Sequence, residues 1–144
     1  MQEEARIAIE EARMVLPGIQ ALFGFQLIAV FSDRFEALQT LERAAHLVSI
    51  LLIVLTITLI MTPAAYHRIA GRGEISRYLL DITSGFLAAA MCSFMLGISI
   101  EIYLVALLIT EASWLSAVCA GFSLALCASY WFYFPLRRRR RSRQ

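Results

Sequence analysis

The chain contains no lysine: all thirteen of its basic residues are arginine, which favours fixed charges over titratable amines. Cysteine occurs three times, at Cys92, Cys119 and Cys127, without a CxxC pair or a Cys/His grouping. That spacing offers neither a disulfide framework nor a zinc or other metal site, so the thiols read as small apolar packing residues. Catalytic motifs are missing too. There is no H-E-x-x-H, no G-x-S-x-G and no paired intramembrane aspartate, and Gly71-Arg72-Gly73 lacks the spacing of a P-loop. An enzyme is therefore the weakest functional class, and no cofactor is implied. The opening MQEEARIAIEEAR is acidic and amphipathic where a signal peptide needs a basic start, so the first apolar stretch is expected to remain as a span.

What fills the chain instead is hydrocarbon. Of 144 residues, 60% are apolar and only 17% are charged, beyond the roughly half-apolar usage of soluble domains. Four stretches are apolar enough to cross a core of roughly 30 Å: residues 14–31, 47–65, 79–110 and 113–136. The expected fold is all-α, a single integral membrane bundle of four transmembrane helices. Residues 1–13 form an amphipathic N-terminal extension and residues 137–144 an Arg-rich tail. Four spans put both termini on one side. With that side cytoplasmic, it holds Arg6, Arg13, Arg68, Arg72, Arg77, Arg137–Arg141 and Arg143, against only Arg34 and Arg43 opposite. Both termini are therefore expected inside. Tyr66, Tyr78, Tyr130, Trp131 and Tyr133 would girdle the inner interface and Trp114 the outer one. The run Arg137, Arg138, Arg139, Arg140 and Arg141 reads as an anchor for anionic lipid headgroups. Nothing aromatic interleaves it outside the membrane, which argues against nucleic acid.

Along the first span, Pro17-Gly18 either starts the buried part of the helix or kinks it. Gln20 shares an arc with Arg13, Pro17 and Gly24, while Gln26 projects from roughly the opposite side. Both amides need a protein partner or a wet cavity, and their divergence argues against one pore lined by both. LPGIQALFGFQ at Leu16–Gln26 and MTPAAYHR at Met61–Arg68 resemble a family of small bacterial membrane proteins known only as a domain of unknown function. The resemblance covers the first two spans well and the later ones mainly by hydrophobic pattern; it implies a compact four-helix domain of a bacterial inner membrane, with no activity or catalytic residues attached. Between those spans, Ser32–His46 is expected to form a short interfacial helix. Thr56, Thr58 and Thr62 can return their hydroxyls to their own backbone.

The third segment is too long for one crossing: Ile82 to Thr110 makes about 43 Å of helix at ~1.5 Å per residue. Either it ends near Glu101 and an apolar loop follows, or one long helix turns only at Glu111–Ser113. An exposed loop reading IYLVALLIT is unfavourable, so the long helix is preferred. Glu101 then lies about 15 Å of helix below the turn, where a carboxylate must be protonated, paired or hydrated. Arg43 and His46 are its expected partners, and Asp81 is expected to pair with Arg77. Asp81, Gly85, Ala89, Ser93, Gly97 and Glu101 fall on one face at four-residue spacing, as do Ser113, Ala117, Gly121, Ala125 and Ser129 in the fourth span. Small residues let backbones approach in lipid. Two such rows predict a close-packed third/fourth helix hairpin, or one row facing another subunit.

Two functional classes remain. The first is a non-enzymatic module, a homo-oligomer or accessory subunit of a membrane complex. The second is a small ion or proton channel or transporter built on Glu101, with Gln20, Gln26, Arg43 and His46 as the candidate polar site.

Overall fold

The computed structural model describes residues 2–69, 77–135 and 137, and among these the side chains of residues 10, 14–66, 68–69, 83–135 and 137. Every long element is helical, as the long apolar runs require in the absence of strand alternation. Helix α1 is Gln2–Ala29, α2 the single turn Asp33–Glu36, α3 Thr40–Ile69, α4 Arg77–Thr110 and α5 Ser113–Ala128, which passes into a π-helical turn at Ser129–Tyr133. No strand occurs among the described residues.

Three of these helices are long and apolar enough to cross a membrane, over Thr40–Tyr66, Thr83–Thr110 and Ser113–Tyr133. The apolar part of α1, Met14–Ala29, is shorter, about 24 Å against a core of roughly 30 Å. Helix α1 runs through Pro17 without a break, so the amphipathic extension and the first apolar stretch are one element. The loop expected at Ser32–His46 is mostly helix as well, because α3 starts at Thr40 rather than Leu47. Its first turn is closed by Glu42, whose carboxylate accepts from the Gln39 backbone N–H at 2.7 Å, in the manner of a capping box.

The third segment is one helix from Arg77 to Thr110. It turns at Glu111, whose φ of 52° is a left-handed conformation that reverses the chain within two residues. Thr110 Oγ1 accepts there from the Ala112 N–H at 3.3 Å.

The centre of the bundle is the seam between α3 and α4. His46, Ser49, Ile53 and Thr56 follow one another at three- and four-residue steps along α3, and all are buried. Ala90, Ser93, Gly97, Glu101 and Leu104 answer them on α4, and only Glu101 among them is not fully buried. This is the narrow stripe of a coiled-coil seam, with small residues where the backbones approach. A Cβ added at Gly97 would lie 3.2 Å from Ile53 Cδ1 and 3.3 Å from Leu52 Cβ. Hydroxyls cross the seam in both directions: Ser49 Oγ donates to Gly97 O at 3.0 Å, and Ser93 Oγ donates to Leu52 O at 2.8 Å. Thr56, Thr58 and Thr62 return their hydroxyls to carbonyls four residues back.

Two expectations about packing are corrected. The row on α4 packs against α3 rather than α5, and only through its Ser93–Glu101 half; Gly85 and Ala89 are exposed. On α5, Ala117, Gly121 and Ala125 are exposed and no atom comes within 4 Å of a Cβ built at Gly121. Helix α5 does pack on α4, but its buried residue is Ser116, on the other face. The reason is that α3, not α5, supplies the grooved surface of Ser49, Leu52 and Ile53 that small residues on α4 fit.

Candidate functional site

Four helices converge at the α2 end of the bundle on a polar cluster enclosed in apolar surroundings. Gln26 comes from the last turns of α1, His46 and Ser49 from α3 one turn apart, and Glu101 and the Gly97 carbonyl from α4 one turn apart. Phe35 from α2 covers the imidazole edge-on, with ring centroids 5.1 Å apart and planes at 65°.

The network is directional. The Gly97 carbonyl can only accept, so it takes the single Ser49 hydroxyl proton. Ser49 must then accept from its other neighbour, and Gln26 Nε2 donates to it at 2.9 Å. The amide orientation of Gln26 is thereby fixed, and its carbonyl Oε1 is buried without a hydrogen-bond partner.

The same reasoning sets the imidazole. Nε2 of His46 lies 3.2 Å from the Gln26 backbone carbonyl, again an acceptor only, so Nε2 carries a proton. Nδ1 is turned to Glu101, 3.0 Å from Oε1, with the two side chains 5% and 14% exposed. Oε1 nonetheless lacks a partner in hydrogen-bond geometry, so the approach is a close contact rather than a linear bond. Bare imidazole nitrogen and ionised carboxylate oxygen repel at that distance. A proton on either partner would remove that repulsion and leave the buried dyad without net charge.

Not every residue singled out in the sequence joins this cluster. Arg43 does not reach Glu101: its Nε donates to Leu38 O at 3.0 Å and its Nη2 to Glu36 O at 2.6 Å, tying the α2 turn to α3. The short loop draws the guanidinium to nearby carbonyls. Gln20 is exposed, because α3 lies on the opposite side of α1, the side that Gln26 faces. The side chains of Asp81 and His67, and all of Gly71–Gly73 and Arg138–Arg141, lie outside what is described. Arg137 is exposed and sits 5.9 Å from the Tyr133 ring centroid. Trp131 turns inward and stacks on Phe94, with centroids 6.1 Å apart.

Sequence reasoning missed Ser49 and Phe35 as members of the cluster. A serine in an apolar helix ordinarily bonds its own backbone. The usable signal was that Ser49 follows His46 by three residues and so shares its face. Among the described residues no group of three or more His, Cys, Asp or Glu side chains is placed to hold a metal ion. The three cysteines are free thiols, and Cys92 is exposed.

A family model covers residues 6–135, that of DUF6328, a family of unknown function, and the chain belongs to that family. The match extends through the fourth apolar stretch, beyond the first two that carry the resemblance in sequence. No curated protein and no solved structure matches the chain.

Proposed function

We propose that this member of DUF6328 is a multi-pass protein of a bacterial inner membrane, with four crossing helices and both termini cytoplasmic. It acts without catalysis, as a homo-oligomer or as an accessory subunit of a membrane complex, and its Arg137–Arg141 run engages anionic headgroups. The observation that supports association is the position of the α5 row. Ala117, Gly121 and Ala125 are exposed along one face, with open space around Gly121. In lipid, where apolar area gives no net drive between helices, such a face favours a second backbone over acyl chains.

Native mass spectrometry from mild detergent is the test. An oligomer or a co-purifying membrane protein is expected, and Gly121→Leu should abolish the association without lowering the melting temperature. A folded monomer indifferent to the substitution would sink the proposal.

The buried His46–Glu101 dyad supports a second reading, proton or cation handling. Hypothesis: a proton held by the dyad exchanges during transport. Reconstituted vesicles should then show a pH-dependent flux that Glu101→Gln removes. Equal flux in both proteins, or none in either, would leave the dyad a structural element.

A further inference from the structure

At the opposite end of the bundle from the polar cluster, α1 leans on α3 and stands off from α4, and the gap is a cavity of about 350 Å³. Met14, Val15 and Ile19 wall it on one side, Leu87, Ala90 and Phe94 on the other, with Trp131 at one end. The volume falls within the usual range of small-ligand sites, about 300–1,000 Å³. We propose that this cavity holds one acyl chain of an anionic membrane phospholipid, entering past Met14 and Val15.

Three observations on the cavity carry the assignment. First, the walls are almost wholly apolar, with the Thr56 hydroxyl and the Trp131 indole N–H as their side-chain polar groups. The hydroxyl already donates to Leu52 O at 2.8 Å. A polar ligand would lose its hydration with little compensation, whereas a hydrocarbon loses nothing. Second, the shape suits a chain. From Leu87 to Phe94 the wall runs about 10 Å along α4, at ~1.5 Å per residue, a large part of one bilayer leaflet's hydrocarbon depth of about 15 Å. The mouth is flanked by exposed Met14 and Val15, so it opens sideways where lipid tails lie. Third, charge lies at the matching end. The π-helical turn Ser129–Tyr133 turns Trp131 into the cavity against Phe94, and one turn further on Arg137 is exposed, its guanidinium facing only the Tyr133 ring among the described contacts. A phosphate there would complete a headgroup site over the chain.

The test uses the full-length protein, delipidated in detergent and offered phosphatidylglycerol or phosphatidylcholine. Native mass spectrometry is expected to find one retained phosphatidylglycerol per chain. Val15→Phe with Leu87→Phe fills the cavity and should remove that lipid, while an unchanged melting temperature shows that the bundle is intact. Arg137→Gln should keep one lipid but weaken the preference for the anionic head. In a Trp114→Phe background Trp131 is the remaining tryptophan. Phospholipid brominated in its acyl chains should quench it, several-fold less in the filled variant. Retention of lipid by a folded filled variant, no lipid on the wild type, or a dimer that excludes lipid from the cavity would each overturn the proposal.

Discussion

At the scale of single residues, the cluster around His46 is held by groups that each have one way to be satisfied. His46 touches Gln26, Phe35 and Glu101 at once. Its removal leaves a buried carboxylate without a partner, and breaking such a pair costs about 3–5 kcal/mol. Thermal melts should therefore rank His46→Ala as the most damaging change at the cluster. Glu101→Gln should be milder, because the new amide can donate to Nδ1 of a neutral imidazole. Equal stability of His46→Ala and wild type would mean that the dyad is solvated. Ser49→Ala should cost about 1–3 kcal/mol, since it strands the Gln26 amide in a buried position, measurable by denaturant or heat in detergent. How far these residues could be read in advance depended on geometry within one helix. The opposed directions of Gln20 and Gln26 follow from the 100° step, and so does the need of Glu101 for a partner. Which amide faces inward does not, because that depends on where α3 lies. Arg43 was as near to Glu101 in sequence logic as His46 was, yet the carbonyls of Leu38 and Glu36 hold it.

Between elements, the spacing of small residues proved legible and their partner did not. Gly97 and Gly121 have the same environment in a sequence window, each a glycine in an apolar helix within a four-residue row. Only Gly97 sits against another helix, with Ile53 and Leu52 side chains and the Ser49 carbonyl within 4 Å of where a methyl group would stand. Neighbourhood in the chain favoured pairing α4 with α5, but the complementary groove belongs to α3, whose Ser49 and Leu52 also exchange hydroxyl bonds across the seam. The two glycines therefore separate packing within the chain from packing between chains. Gly97→Leu should force α3 and α4 apart and destabilise the bundle by about 1–3 kcal/mol or more, the range of overpacked cores. Gly121→Leu should leave the melting temperature within error of wild type. A melt in which Gly121→Leu is the worse of the two would place the intramolecular seam on α5 after all.

For the whole molecule, the decisive question is whether α1 crosses. Its apolar part is short, but its register against α3 is informative. Gln26 bonds Ser49 near the start of α3, while Met14 shares a cavity with Ile60 and Trp131 at the other end. Thus about 18 Å of α1 lies antiparallel to about 17 Å of α3 at ~1.5 Å per residue. Helix α1 also continues without a break to Gln2, long enough to complete a crossing of roughly 30 Å. A helix so placed carries its N-terminus to the side where α3 and α5 end, which is the cytoplasmic side in the topology proposed above. Single cysteines placed in a background lacking Cys92, Cys119 and Cys127 test this with a membrane-impermeant maleimide. Gln39→Cys, between α2 and α3, should label in intact spheroplasts. Gln2→Cys and Gln144→Cys should label only after the membrane is opened. Labelling of Gln2→Cys from outside, with Gln144→Cys protected, would mean that three helices cross and that α1 lies against the bundle without passing through, leaving the termini on opposite sides.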